Sequence, residues 1–137
     1  MDIGNALAQM NYLAVVVAAL SNFIVGGLWY SKILFGNVWM QSNNFAEDDI
    51  KGANMGLIYG KTFVLMLIAA FVLAMFIGPE ATLGTGLLAG LFVGVGWVAT
   101  SMGVNDLFER RSTAHFLVNS GYHVVSFMVM GAILGVW

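Results

Sequence analysis

The chain has 137 residues, 60% of them hydrophobic, with 17 glycines besides, 9% charged residues and a net charge of −2. Soluble domains carry about 25% charged residues and roughly 45 to 50% apolar ones with glycine counted, so a monomer of this composition lacks the polar groups to cover itself in water. A soluble domain, a disordered chain, a collagen and a disulfide scaffold are excluded, the last because there is no cysteine, and an integral membrane protein remains.

Met1 to Met10 has Asp2 and no Lys or Arg, and the apolar run after it is longer than a signal-peptide core. The first apolar segment, Tyr12 to Tyr30, is therefore read as a retained membrane helix, about 28 Å long at 1.5 Å per residue. Ile33, Leu34, Phe35, Val38, Trp39 and Met40 follow at a spacing that predicts a short helix lying flat on the membrane, with Trp39 as an interfacial anchor.

Asn44-x-x-Glu47 reads as a capping box, and Glu47, Asp48 and Asp49 suit the positive end of a helix starting near Phe45. A helix from there to Gly78 exceeds the membrane, so a break at Gly52, Gly56 or Gly60 is expected and the second span is placed at about 55–78. Lys61, just inside it, reaches the interface by snorkelling, and Gly78-Pro79 stops it. The third span is placed at about 83–104, with Asp106 and Arg110 spaced to pair at its end. The fourth, about 114–137, is capped by Ser112 or Thr113.

Lys32 and Lys51 lie between spans one and two, Arg110 and Arg111 between three and four, and no Lys or Arg between two and three. The positive-inside rule then puts both termini and the Pro79 loop outside, in a multi-pass protein of a bacterial cytoplasmic (inner) membrane. The expected fold is an all-α integral membrane four-helix bundle, N-out/C-out, with a short interfacial helix between spans one and two.

Gly52, Gly56 and Gly60, and again Gly86, Gly90 and Gly94, recur every four residues and so share one helix face. Such faces let backbones approach in lipid, where apolar burial no longer drives association. The second ladder is read as helix packing, either within the chain or in a homo-oligomer, with Gly131 and Gly135 of span four as similar positions.

Ionisable groups inside the spans are scarce, which draws attention to His123, about 14 Å into span four. Asn119, His123 and Ser126 project from one side of that helix, Tyr122 adjoins them and His115 extends the stripe. Asn22 and Ser21 of span one and Ser101 and Thr100 of span three are read as facing them. Two readings stand: interhelical hydrogen bonds that hold the bundle together, or a hydrated pocket binding a small solute, an ion or a proton, since imidazole titrates near neutrality. His115 and His123 lie about 12 Å apart along one helix and cannot share a metal within one chain.

No phosphate loop, nucleophile elbow, zinc-protease pair or dinucleotide fingerprint occurs, so no enzyme, cofactor or metal is expected. The five scattered basic side chains form no stripe for a nucleic acid. Small multidrug exporters also have four short helices, but their mechanism needs a carboxylate in the first span, and none lies between Met10 and Trp29. A faint echo of Gly27-Leu28-Trp29 in Gly96-Trp97 hints at parallel repeats.

Asn11-Tyr12, Gly26-Gly27-Leu28-Trp29-Tyr30-Ser31, Leu34-Phe35-Gly36, Trp39-Met40, Asn119-x-Gly121-Tyr122-His123 and Gly131-Ala132-Ile133-Leu134 resemble the bacterial family called domain of unknown function 1761, over nearly the whole chain. The resemblance implies a small four-helix inner-membrane protein and supplies no activity. It singles out Trp29, Tyr30, Trp39, Asn119, Tyr122 and His123 as a characteristic site. The leading functional expectation is a transporter or channel-like protein for a small solute or proton through a polar interior of Asn22, Trp29, Tyr30, Ser101, Asn119, Tyr122, His123 and Ser126. The rival is a non-transporting assembly subunit that binds lipid or another membrane protein through its glycine faces.

Overall fold

The computed structural model describes residues 2–137, and every regular element among them is helical. The helices are α1 (Ile3–Gln9), α2 (Tyr12–Trp29), α3 (Gly36–Ser42), α4 (Glu47–Lys51), α5 (Met55–Ile77), α6 (Leu83–Val93), α7 (Thr100–Phe108) and α8 (Thr113–Val136), with a wide π turn over Gly94–Ala99 joining α6 to α7. Four helices are long and apolar enough to cross a membrane: α2, α5, the continuous rod Leu83–Phe108, and α8. They are called spans one to four.

Local chemistry explains the boundaries. Asp2, Asn11, Asn54, Thr82 and Ser112 each turn a side-chain oxygen onto a backbone N–H of the first turn that has no partner inside its helix. Ser112 is thus the cap of span four. Gly78 ends span two at φ +72°, a conformation that suits glycine, just ahead of Pro79.

Four local expectations are corrected. Asn44 does not open a helix: at φ 55° its N–H closes the turn after α3, and α4 begins one residue past Ala46, whose N–H is held by the Asp49 carboxylate at 2.8 Å. The short helix after span one starts at Gly36, leaving Ile33 to Phe35 in the turn before it. Span three runs on to Phe108, beyond Val104. Arg110 lies past that end in a left-handed turn at φ 58°, so the four-residue helical spacing that would pair it with Asp106 does not exist.

Span four is the hub. Span three runs antiparallel along one side of it, span one along another, and span two leans mainly on span one. The glycine ladder explains the first of these. A Cβ on Gly86, Gly90 or Gly94 would collide with the backbone of Gly131, Phe127 or Val124, and one on Gly135 with Thr82. The ladder is therefore spent within the chain, and Gly131 and Gly135 supply the opposing face. Gly56 and Gly60 differ: neither would bring a Cβ against another part of the chain. Val15, Ala18, Ala19, Ala70, Leu73 and Met130 form the shared core of spans one, two and four.

The π turn is the feature that the residue pattern did not announce. Seven residues after Gly94 a regular helix would bring Ser101 back to the face that packs on span four. The wide turn inserts one extra residue and rotates everything after it by about 100°. Gly103 and Asp106 then face span four, Gly103 meeting the Phe116 ring, while Ser101 is exposed. Thr100 stabilises the widened turn by donating its hydroxyl to the carbonyls of Gly96, at 2.8 Å, and Trp97, at 3.1 Å. The two echoed tryptophans also differ in their surroundings: Trp29 is drawn against span four, whereas Trp97, in the wide turn, is exposed.

Candidate functional site

Spans one and four meet in a seam whose register is fixed by reciprocal use of glycine. The Trp29 ring lies over Gly121, where a Cβ would come within 2.8 Å of it, and the Tyr122 ring lies over Gly26. Trp29 Nε1 donates to the Val118 carbonyl at 2.9 Å, and the Tyr122 hydroxyl donates to the Asn22 carbonyl at 3.4 Å. The quoted Gly-Gly-Leu-Trp-Tyr and Asn-x-Gly-Tyr-His segments are thus two halves of one interface. α3 closes the end of the seam: Tyr30 packs edge-on against Trp39, with centroids 5.6 Å apart, and tilted against Tyr122 at 5.3 Å. Gly36 allows that return, since a Cβ there would strike the carbonyls of Tyr30 and Ser31.

A hydrogen-bonded row crosses three elements at this end. Asp106 Oδ2 of α7 lies 3.1 Å from His115 Nδ1, His115 Nε2 lies 3.3 Å from Asn119 Nδ2, and Asn119 Oδ1 accepts from the Tyr30 hydroxyl at 2.8 Å. The roles follow from chemistry. A carboxylate oxygen accepts, so Nδ1 carries the hydrogen, and with the Asn119 amide nitrogen turned toward it Nε2 offers its lone pair. The side chains of Asp106 and His115 are each 12% exposed. Past the end of α7, Arg111 and Glu109 form a pair at 3.5 Å, both ends open to solvent.

Further along the same seam, hydrogen bonding is incomplete. Asn22 Oδ1, Ser126 Oγ and His123 Nδ1 are buried without a partner. The Asn22 amide nitrogen is spent on the carbonyls of Ala18 and Ala19 in its own helix, at 3.3 and 3.2 Å. Moving four residues from the Gly26–Tyr122 contact in this antiparallel register sets Asn22 opposite Ser126, both 1% exposed. His123 stacks edge-on against Tyr122 at 4.9 Å, outside the row.

Of the expected site residues, Tyr30, Asn119, Tyr122 and Trp29 are thus brought together, Asn22 and Ser126 face one another deeper in the seam, and His123 flanks it. Ser101 is not part of it, because the π turn rotates it outward. The member that the residue pattern missed is Asp106. Its signal was its place nine residues before His115, across a tight helical hairpin.

Outside the spans, Lys32 and Glu47 form a 2.8 Å ion pair that ties the end of span one to α4. Their mutual hydrogen bond, and then their opposite charges, raise the lysine above its ordinary value and lower the carboxylate below its own.

A family model described as "Protein of unknown function (DUF1761)" matches residues 13–135. No curated protein and no solved structure matches the chain significantly.

Proposed function

The chain belongs to the DUF1761 family of proteins of unknown function, and from that premise we propose that it is a multi-pass protein of a bacterial inner membrane, a bundle with both termini outside, that binds and passes a small solute or proton along the seam between spans one and four. The observation that carries this reading is the row from Asp106 through His115 and Asn119 to Tyr30, leading toward polar atoms of Asn22 and Ser126 that the protein leaves without partners. A buried polar group without a partner costs about 1 to 3 kcal/mol. Two such groups in the seam, with His123 Nδ1 beside it, leave hydrogen bonds for a visitor to make.

The assembly reading has less support, because the Gly86 to Gly94 face on which it leaned is covered by span four. A homo-oligomer would have to use another surface, such as the open Gly56 and Gly60 side of span two. Reconstitution into liposomes tests the main reading. Solute or proton flux should occur with the wild type and fall at least about tenfold in Tyr30→Phe and Asn119→Leu, compared at equal helix content by circular dichroism. Equal flux in wild type, variants and empty liposomes would overturn it.

A further inference from the structure

The Asn119 carboxamide sits between a donor and an acceptor, receiving the Tyr30 hydroxyl at 2.8 Å and giving its N–H to His115 Nε2 at 3.3 Å. In the neutral imidazole with Nδ1–H directed at Asp106, 3.1 Å away, Nε2 is left as an acceptor. We infer that Tyr30 and His115 form a recognition site for a small neutral carboxamide, of which acetamide and urea are the simplest, and that the Asn119 side chain is a built-in occupant which the solute displaces. This rests on the reading of the seam as a solute path and names the class of solute.

Other ligand classes fit the two ends poorly. A carboxylate brings no N–H to Nε2 and places a negative charge near Asp106. An ammonium ion offers no acceptor to the Tyr30 hydroxyl. A single oxygen, as in water or an alcohol, would have to reach both ends of a gap that a nitrogen, a carbon and an oxygen now fill. A proton fares worse, because an amide in the middle of a chain relays one only through its unfavourable imidic-acid form. A flat amide also suits the walls, since the Tyr30, Trp39 and Tyr122 rings stand at this end of the seam. Beyond them, Ser126 Oγ and Asn22 Oδ1 offer a solute moving deeper into the membrane its next hydrogen bonds.

Because Asn119 is tethered, it competes at high effective concentration, so the wild type should bind such solutes only in the range of millimolar or weaker. The full-length protein in lipid nanodiscs tests this. Asn119→Ala removes the occupant and should bind acetamide about tenfold more tightly than the wild type, and melt higher in its presence. Acetate, and acetone with an acceptor but no donor, should do neither. Adding Tyr30→Phe to Asn119→Ala should abolish the effect. In the wild type, the side-chain amide signals of Asn119 should move on titration with acetamide and not with acetone.

Equal binding of acetone and acetamide by Asn119→Ala, or wild-type Asn119 signals that ignore acetamide, would overturn the inference. If the alanine variant does not fold, the wild-type titration decides alone. Acetamide binding without flux in liposomes would support the site while removing the transport reading. Amide flux that is indifferent to Tyr30→Phe and Asn119→Ala would overturn the site and leave transport standing.

Discussion

Gly121 is constrained by a side chain rather than by backbone, because the Trp29 ring occupies the place of its Cβ. Gly121→Ala forces a contact of 2.8 Å onto an indole that is also anchored by its N–H to Val118. Overpacking of this kind costs about 1 to 3 kcal/mol, and a thermal melt in detergent should fall accordingly. Gly26→Ala should be much milder, since its added carbon would meet the Tyr122 ring at an ordinary 3.4 Å.

The Lys32–Glu47 pair gives a prediction with a definite pH window. Glu47 is held below 4.5, so its share of the tether is present above 4.5 and is lost as pH falls through the lowered value. Lys32 is held above 10.5, so its share is present below 10.5 and is lost as pH rises through the raised value. Both side chains are largely open to water, so the pair is weak and screened. Glu47→Gln should leave the melting temperature nearly unchanged at neutral pH, and the small difference from wild type should shrink further in high salt.

Among the elements, span three depends most on a departure from regular geometry. Its upper half packs through the glycine ladder, so Gly90→Leu should separate it from Phe127 and unfold the span three–span four pair, whereas Gly60→Leu, where nothing lies near, should be tolerated. Circular dichroism melts of the two variants in the same detergent give the comparison. Below the ladder, the wide turn decides which residues face inward. Deleting Val95 should restore regular register and turn Asp106 away from His115. With no native cysteine to interfere, a pair introduced at positions 106 and 115 should be bridged by a short thiol-reactive cross-linker in the intact chain and not after the deletion.

At the scale of the whole molecule, the spans are unequal. Span four touches all three others, while span two turns most of its surface outward. The antiparallel contacts of Thr82 with Gly135 and of Trp29 with Val118 put the Pro79 loop and the Ser112 turn at opposite ends. The proposed orientation therefore has a direct check. A cysteine at Glu80 should react with an impermeant reagent on intact cells, and one at Asp48 only after permeabilisation. The reverse pattern would place the Asp106–His115 end of the seam outside.

The residues alone determined a helical chain with four apolar segments of membrane length, because hydrocarbon leaves a backbone few ways to satisfy its own hydrogen bonds. They also marked most of the seam, since Asn22, Asn119, Tyr122, His123 and Ser126 are costly in such a setting and stand out against the apolar background. Spacing by itself sets Asp106 at a helix end beside Arg110 and Ser101 among the interior groups, whereas in the packed chain Asp106 is buried and Ser101 exposed. The physical reason is one extra residue in a helical turn: periodicity counts residues along an ideal helix, and a π turn that packing maintains is invisible to that count. Which glycine face is used, which glycine receives which aromatic ring, and whether Asp106 meets His115 all depend on contacts between distant parts of the chain, and only the packed spans decide them.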